Sequence, residues 1–356
     1  MNFTKNMWFM KKKFDESFRE YISDNPAEIF EHMKNARFAG ILFKSGNDMP
    51  FPFSLDMLTL LKTANPLEQK YYYIEDDSNY AFFVVYENRM NLFTYGKAEW
   101  FMNIHTVAFP CSLSNNGFIT NNASWMLSYI KTIKGCKLVL NLDEKTDIKG
   151  MSFGETLPTC EFSIPETIKD IKTYMDSLRS PYRRRINIAV KNCSDIEVVR
   201  TTDDSIDIHP LYLQTYEKSE YKLECLNKEF FDKADGEKII FLRDKKPVGF
   251  VLLKANGEEL IFMLCGMDYE PGKDNADLYF YMLLKIVEYA LEKNCKVIDF
   301  GQTSEKTKLK FGAYLKKKYF YAHHSNPFLN IFAMVGKHML EYKYDFPEFR
   351  VFKEQA

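Results

Sequence analysis

The chain has 356 residues, 46% hydrophobic and 16% aromatic, which supplies more core material than one typical domain uses and makes two domains the prior. Lys and Arg number 48 against 49 Asp and Glu, a net charge of −1, which excludes nucleic-acid binding by bulk charge and leaves only a local basic patch for that role. Seven cysteines are scattered without a C-x-x-C pair, no apolar run reaches the length of a membrane helix, and the N-terminus lacks the apolar stretch of a signal peptide; the expectation is reduced thiols in a cytoplasmic protein, with no metal site.

Residues 1–13 set Lys11-Lys12-Lys13 beside Trp8, Phe9 and Met10, which reads as the start of a surface helix or as a small basic-aromatic arm. Phe18, Tyr21 and Ile22, then Ile29, Phe30 and Met33, have helical spacing over 14–34, with a break at Asn25-Pro26. Ile41 to Phe43 reads as a short strand and Leu55 to Ala64 as an amphipathic helix. Strands are predicted over Lys70–Ile74 and Tyr80–Val85, over Met90–Phe93 after a turn at Glu87–Arg89, and over Thr106–Leu113. A helix over Ala123–Lys134 and a strand over Leu138–Leu142 follow. The polar stretch Glu144–Pro158 reads as the connection between two domains, 1–150 and 151–356.

The second half opens with a strand over Cys160–Ile164 and a helix from Pro165 to near Asn192, interrupted at Pro181. A strand at Ile196–Arg200, helices at Pro210–Ser219 and Lys228–Lys233, and a hairpin of Lys238–Leu242 with Pro247–Leu253 lead to the most informative stretch. There, an apolar strand over Leu260–Gly266 is followed by a polar loop. A long helix over Asp277–Lys293 carries one solvated stripe, Lys285, Glu288 and Glu292, and stops at Asn294. A strand over Cys295–Phe300 and a helix capped by Ser304 and closed at Gly312 complete it. A strand–helix–strand of this length implies a parallel pair with its ligand site beyond the strand carboxyl ends. A strand at Tyr319–Tyr321 and a helix over Leu329–Tyr342 end the chain.

The wording Asp299-Phe300-Gly301-Gln302-Thr303-Ser304, with Lys308 and Phe311-Gly312-Ala313, resembles the GNAT superfamily of N-acyltransferases. Leu157-Pro158-Thr159 and Leu178-Arg179-Ser180-Pro181-Tyr182-Arg183-Arg184-Arg185-Ile186 resemble phrases of its double-domain, FemAB-like or "acetyltransferase 6" branch. The resemblance spans about Thr156 to Asn326. It implies an α/β (α+β) fold of tandem GNAT-like domains, mixed sheets flanked by helices, with a degenerate first copy and a catalytic second. It also implies transfer of an acyl group from an acyl-CoA co-substrate to a small-molecule or peptide amine.

The site implied by that resemblance has three parts. Lys308 stands four residues before Gly312, where GNAT enzymes place the tyrosine that protonates the leaving thiolate. Gln302 and Asp299 accompany it as orienting group and base, and a plain surface lysine is the competing reading. Backbone N–H groups near Leu264, Cys265 and Gly266, with Lys273 and Asn275 beyond, form the donor side, although the glycine-rich pyrophosphate loop of acetyl-CoA users is missing. Arg179 and Arg183, at i and i+4, form a phosphate or carboxylate site or else pack over the sheet; Thr303 and Tyr279 complete the substrate side. The rival readings are an aminoacyl-tRNA-dependent transferase of cell-wall precursor synthesis, with tRNA as partner, and a non-catalytic binding protein on the same scaffold.

Overall fold

The computed structural model describes residues 16–43, 48–91, 99, 101–220, 222, 224–269 and 275–353. They form two compact units. The first takes in the described residues up to Cys111, then Asn115–Thr156 and Lys318–Lys343; the second takes in Ser112–Ser114, Leu157–Lys317 and the described residues from Tyr344.

The chain begins with β1 (Arg19–Ser23), α1 (Pro26–Lys34), the short α2 (Ala39–Leu42) and α3 (Leu55–Ala64). Asn25 caps α1 by accepting the Ala27 N–H, and Pro26 fills the first helical position, where no backbone donor is needed. The helix predicted through Phe18, Tyr21 and Ile22 is therefore a strand, paired antiparallel with β2 (Gln69–Glu75). Ile41, expected in a strand, lies in α2. β3 (Tyr80–Asn91) runs straight through the turn expected at Glu87–Arg89 because β4 (Phe101–Val107) pairs with it over that whole length. Phe93 lies outside the described residues. β5 (Phe118–Thr120), α4 (Ala123–Ile130) and β6 (Cys136–Leu142) follow, and β6 is parallel to β4.

β7 (Ser152–Ser163) occupies much of the predicted connection, with Leu157, Pro158 and Thr159 inside the strand. Pro165 starts no helix. α5 (Ile171–Ser177) and α6 (Ser180–Asn192) come later, α5 closed by a capping box of Asp170 and Thr173. Then come β8 (Glu197–Thr201), α7 (His209–Lys218), α8 (Lys228–Lys233), β9 (Glu237–Arg243), β10 (Lys246–Asn256), β11 (Glu259–Met267), α9 (Asn275–Glu292), β12 (Val297–Asp299) and α10 (Glu305–Lys308). Asp244 and Lys245 turn the β9–β10 hairpin with positive φ. Asn294, also at positive φ, stops α9 as expected. Ser304 does not cap α10 through its side chain, since it sits in the left-handed region itself. β13 (Tyr314–His324), α11 (Pro327–Val335) and α12 (Lys337–Leu340) end the described fold.

The two units repeat one topology. In the first, the strand order is β1-β2-β3-β4-β6-β13, antiparallel except for the parallel β4–β6 pair. In the second it is β8-β9-β10-β11-β12-β7, again with one parallel pair, β11–β12, in the same place. Each parallel pair is bridged by a helix, as parallel strands require. The first core gathers Phe83, Met126, Leu127, Val139 and Tyr321; the second is built on the inner face of α9, with Leu278, Met282, Leu283, Ile286 and Val287 packed over Phe162, Leu260 and Ile298.

Candidate functional site

The second unit places its distinctive residues where β11 and β12 part. The two strands pair over only three positions, ending at Ile261 with Asp299. Directly after that, Leu253 and Leu252 of β10 face Phe262 and Leu264, so Met263 is an extra residue and β11 bulges. β12 leaves in the other direction through Gly301, Thr303 and Ser304, all at positive φ. Gly301 carries this turn with no Cβ cost.

Alternation along β11 decides which donors are open. Asp268 N–H bonds Val248 O on β10. By period two, Leu264 and Gly266 also direct their N–H groups into the β10 ladder. Met267 N–H points the other way and is taken by Thr215 Oγ1 at 3.1 Å. Cys265 N–H therefore lies on the edge that β12 has left, and no strand among the described residues pairs there. Gly266 serves packing: a Cβ there would stand 2.6 Å from the backbone of Leu211 and Tyr212 on α7.

Lys308 is buried, at 2% exposure, whereas its neighbour Lys306 is exposed. Its Nζ donates to Gln302 O at 2.7 Å and to Gly301 O at 3.2 Å, and lies 5.9 Å from the Phe262 ring centre. Burial drives its pKa down, while Cys160, Cys265, Asp299 and Glu305 act in the opposite direction. The surface-lysine reading is thereby removed. Lys308 also holds the Cys160 and Cys265 thiols back from still higher values; burial pushes them up to about 12 and about 11. Tyr279, half-buried on α9, has its hydroxyl pushed well up by burial and by Cys265, with Ser304 opposing.

Asp299 is fully engaged. Its Oδ1 accepts Thr159 Oγ1 at 2.5 Å and Gly301 N at 2.8 Å, and its Oδ2 accepts the Ser114 hydroxyl. A carboxylate held by three donors fixes this turn. Gln302 donates from Nε2 to Leu157 O at 2.6 Å, tying the turn to β7. Thr303 is half-buried at the turn.

The remaining predicted residues make other contacts or lie outside the described ones. Arg179 precedes α6 as its N-cap in extended geometry, so it does not share a helix face with Arg183; its Nε donates to Phe352 O at 3.0 Å. Arg183 lies 3.9 Å from Asp176. The arginine that is integrated is Arg185, 2.5 Å from the buried Asp277 and 3.9 Å from the Phe280 ring centre. Asn275 begins α9. Lys273, like the arm at 1–13, lies outside the described residues.

Two carboxylates escaped the sequence reading. Glu305 is 6% exposed, with Oε1 buried and no partner to it among the described residues; three residues before Lys308, it shares that helix face. Glu224, at 4% exposure, accepts Ser112 Oγ at 2.7 Å on Oε1, while Oε2 is buried with no partner among the described residues; burial pushes its carboxyl up to about 7. Neither belongs to a motif, so only burial could reveal them. Among the described residues no group of three or more His, Cys, Asp or Glu could hold a metal ion, and no helix is long and apolar enough to cross a membrane.

The first unit lacks this chemistry at the matching place. Asn141, at positive φ, follows the paired Val139 by two residues, as Gly301 follows Asp299. There, however, valine stands at the last parallel-paired position, no helix follows β6, and Ile148 and Met151 are buried in the core.

No family model matches the chain, and no curated protein does. Among solved structures it is similar to FemX, at 11% identity and a TM-score of 0.45, covering 88% of this chain and 100% of that one. L-PGS from Bacillus licheniformis shares 9% identity at a TM-score of 0.47, with 89% and 97% covered. A tandem GNAT protein from the clavulanic acid biosynthesis pathway shares 9% identity at a TM-score of 0.44, with 87% and 99% covered.

Proposed function

We propose that this chain is an N-acyltransferase of the GNAT type, with its active site in the second unit and a degenerate copy in the first, the chain passing from one to the other near residue 150 and returning to the first over Lys318–Lys343. The acyl group moves from an acyl-CoA-type thioester to an amine on a small molecule or peptide, in the cytoplasm. The observation that carries this reading is the buried Lys308 amino group, held at the turn where β11 and β12 separate and in electrostatic contact with Cys265, whose N–H lies on the edge that no strand among the described residues pairs.

Acyl transfer needs such a place. The amine nitrogen attacks the acyl carbon, a C–N bond forms, and the carbonyl oxygen gains negative charge. A fixed N–H on the open edge of β11 stabilises that oxyanion without reorganising. As the C–S bond breaks, the thiolate takes a proton from Lys308, and the new amide sheds its extra proton to water. Two ammonium hydrogens are held by Gly301 and Gln302 carbonyls, which aims the third. Asp299 positions the turn and Gln302 anchors it to β7. Arg183, Thr303, Tyr279 and Asn275 remain acceptor- or donor-side contacts in this reading, whereas Arg179 serves packing.

One observation favours a second donor. The N–H groups of Met267, Asp268 and Tyr269 are consumed by Thr215, Val248 and Gln214, so this segment offers no pyrophosphate cradle. An aminoacyl-tRNA needs none there. Calorimetry decides between them: we expect acetyl-CoA to bind and to support acylation of an amine. Binding of charged tRNA with a steep salt dependence, and none of CoA, supports the second donor. No binding of either contradicts both.

A further inference from the structure

We propose that α11 is a contact surface between two copies of this chain, packed against its own counterpart about a two-fold axis. The helix, Pro-Phe-Leu-Asn-Ile-Phe-Ala-Met-Val, contains no buried residue. Phe328 is 77% exposed, Phe332 71%, Val335 75% and Ile331 57%, with Leu329 and Met334 near half. Phe328, Ile331, Phe332 and Val335 follow the i, i+3, i+4, i+7 rule and line one stripe.

This helix is a formed element of the first unit. Asn326 caps it through Phe328 N and Leu329 N, and Pro327 occupies its first turn. Its one polar side chain, Asn330, faces inward, donating to Gly150 O at 2.9 Å and accepting His324 N at 2.9 Å. The polar group is spent on anchoring and the apolar ones are left outside, the reverse of an ordinary surface helix.

Area and charge choose the occupant. Six large side chains at these exposures present roughly 600 Å² of apolar surface, at the upper limit of what a monomer ordinarily shows. Two copies would bury about 1,200 Å², the lower bound for a specific interface. From Ser325 to Gly336 there is no charged residue, whereas an interfacial membrane helix carries lysine and arginine along its polar face. The basic side chains that follow are already engaged: Lys337 Nζ lies 5.3 Å from the Phe153 ring centre, and His338 Nδ1 lies 2.8 Å from Glu341 Oε2. A charge-poor stripe rich in Phe and Met matches the core of a homodimer interface. Antiparallel self-packing would set Phe328 of one helix against Val335 of its mate.

Sedimentation equilibrium of the full chain tests this. The expected result is a species of twice the chain mass in the micromolar range. Phe332→Glu and, separately, Val335→Lys should weaken association at least about thirtyfold, as loss of a hot-spot contact does. Both positions are exposed, so the circular dichroism of the variants should match the parent, and their melting should match it once the protein is dilute enough for the parent to be monomeric. A monomer at every concentration, or dimers untouched by both substitutions, overturns the proposal. Monomer that floats with phosphatidylglycerol–phosphatidylcholine vesicles, and loses this on Phe332→Glu, overturns it in favour of a lipid surface.

Discussion

Thr159 and Asp299 are joined by a hydrogen bond of 2.5 Å from the threonine hydroxyl to Oδ1, the same oxygen that receives the Gly301 N–H at 2.8 Å. One carboxylate thus binds β7, the end of β12 and the turn that carries Gln302 above Lys308. This geometry predicts different behaviour for two substitutions. Asp299→Asn retains an acceptor for Gly301 and should keep kcat within about tenfold. Asp299→Ala should cost about 2–4 kcal/mol, read as a fall of at least about 5 °C in melting temperature. Complete loss of turnover in a stable Asp299→Asn protein would instead make Asp299 the base.

Glu305 bears on Lys308 through charge. Its carboxylate favours the ammonium against the burial that disfavours it. Glu305→Gln removes that support, so the Lys308 pKa falls further, and a reaction needing the ammonium should lose rate at lower pH. The check is the alkaline limb of the kcat profile, expected to move to lower pH in Glu305→Gln. An unmoved limb would separate Glu305 from the reaction.

Glu224 makes a stability prediction whose sign is fixed. Its folded pKa, about 7, lies above its ordinary 4.5, so its contribution is fully present below about 4.5 and is lost as pH rises through about 7. Glu224→Gln lacks this dependence. The melting temperature of the variant relative to the parent should rise steadily from pH 5 to pH 8. A constant difference across that range would mean the carboxyl is solvated in solution.

Much of this second-unit architecture was legible, and the reason is local. α9 is long, apolar and punctuated by Asn294, and Gly301 and Gly312 mark backbone that only positive φ can turn. These signals need no knowledge of distant residues. The errors arose where local periodicity was short. Phe18, Tyr21 and Ile22 satisfy helical spacing, yet five residues beside β2 gain more from strand pairing. Glu87-Asn88-Arg89 has turn composition, but β4 supplies partners across it. The chemical core was less legible still. Lys308 sits among Lys306, Lys310 and Lys316; its spacing to Gly312 marks it only through the family resemblance, and nothing else in that run tells that it is buried. Ser114 reaches Asp299 across 185 positions of sequence, a contact that no motif encodes.

Buried lysines also occur where no chemistry is proposed. Lys137 of the first unit is fully buried, with Nζ donating to Ile133 O at 2.6 Å and Gly135 O at 3.0 Å, at the end of the segment following α4. Burial lowers its pKa to about 8. It is the internal control for Lys308: both donate to backbone carbonyls, but of the two only Lys308 stands at the turn where a parallel pair parts.

The most direct measurement is therefore acyl transfer by Lys308→Ala with Lys137→Ala and Lys310→Ala alongside, each with its melting curve. If Lys308 gives a proton to the leaving thiolate, kcat and kcat/KM should fall together by at least about a hundredfold. Lys308→Arg should recover little, because guanidinium keeps its proton near neutral pH. Lys137→Ala should lower stability yet leave turnover per folded molecule nearly unchanged, and Lys310→Ala should alter neither. A folded Lys308→Ala protein that transfers acyl groups at the parental rate would contradict the account at its centre.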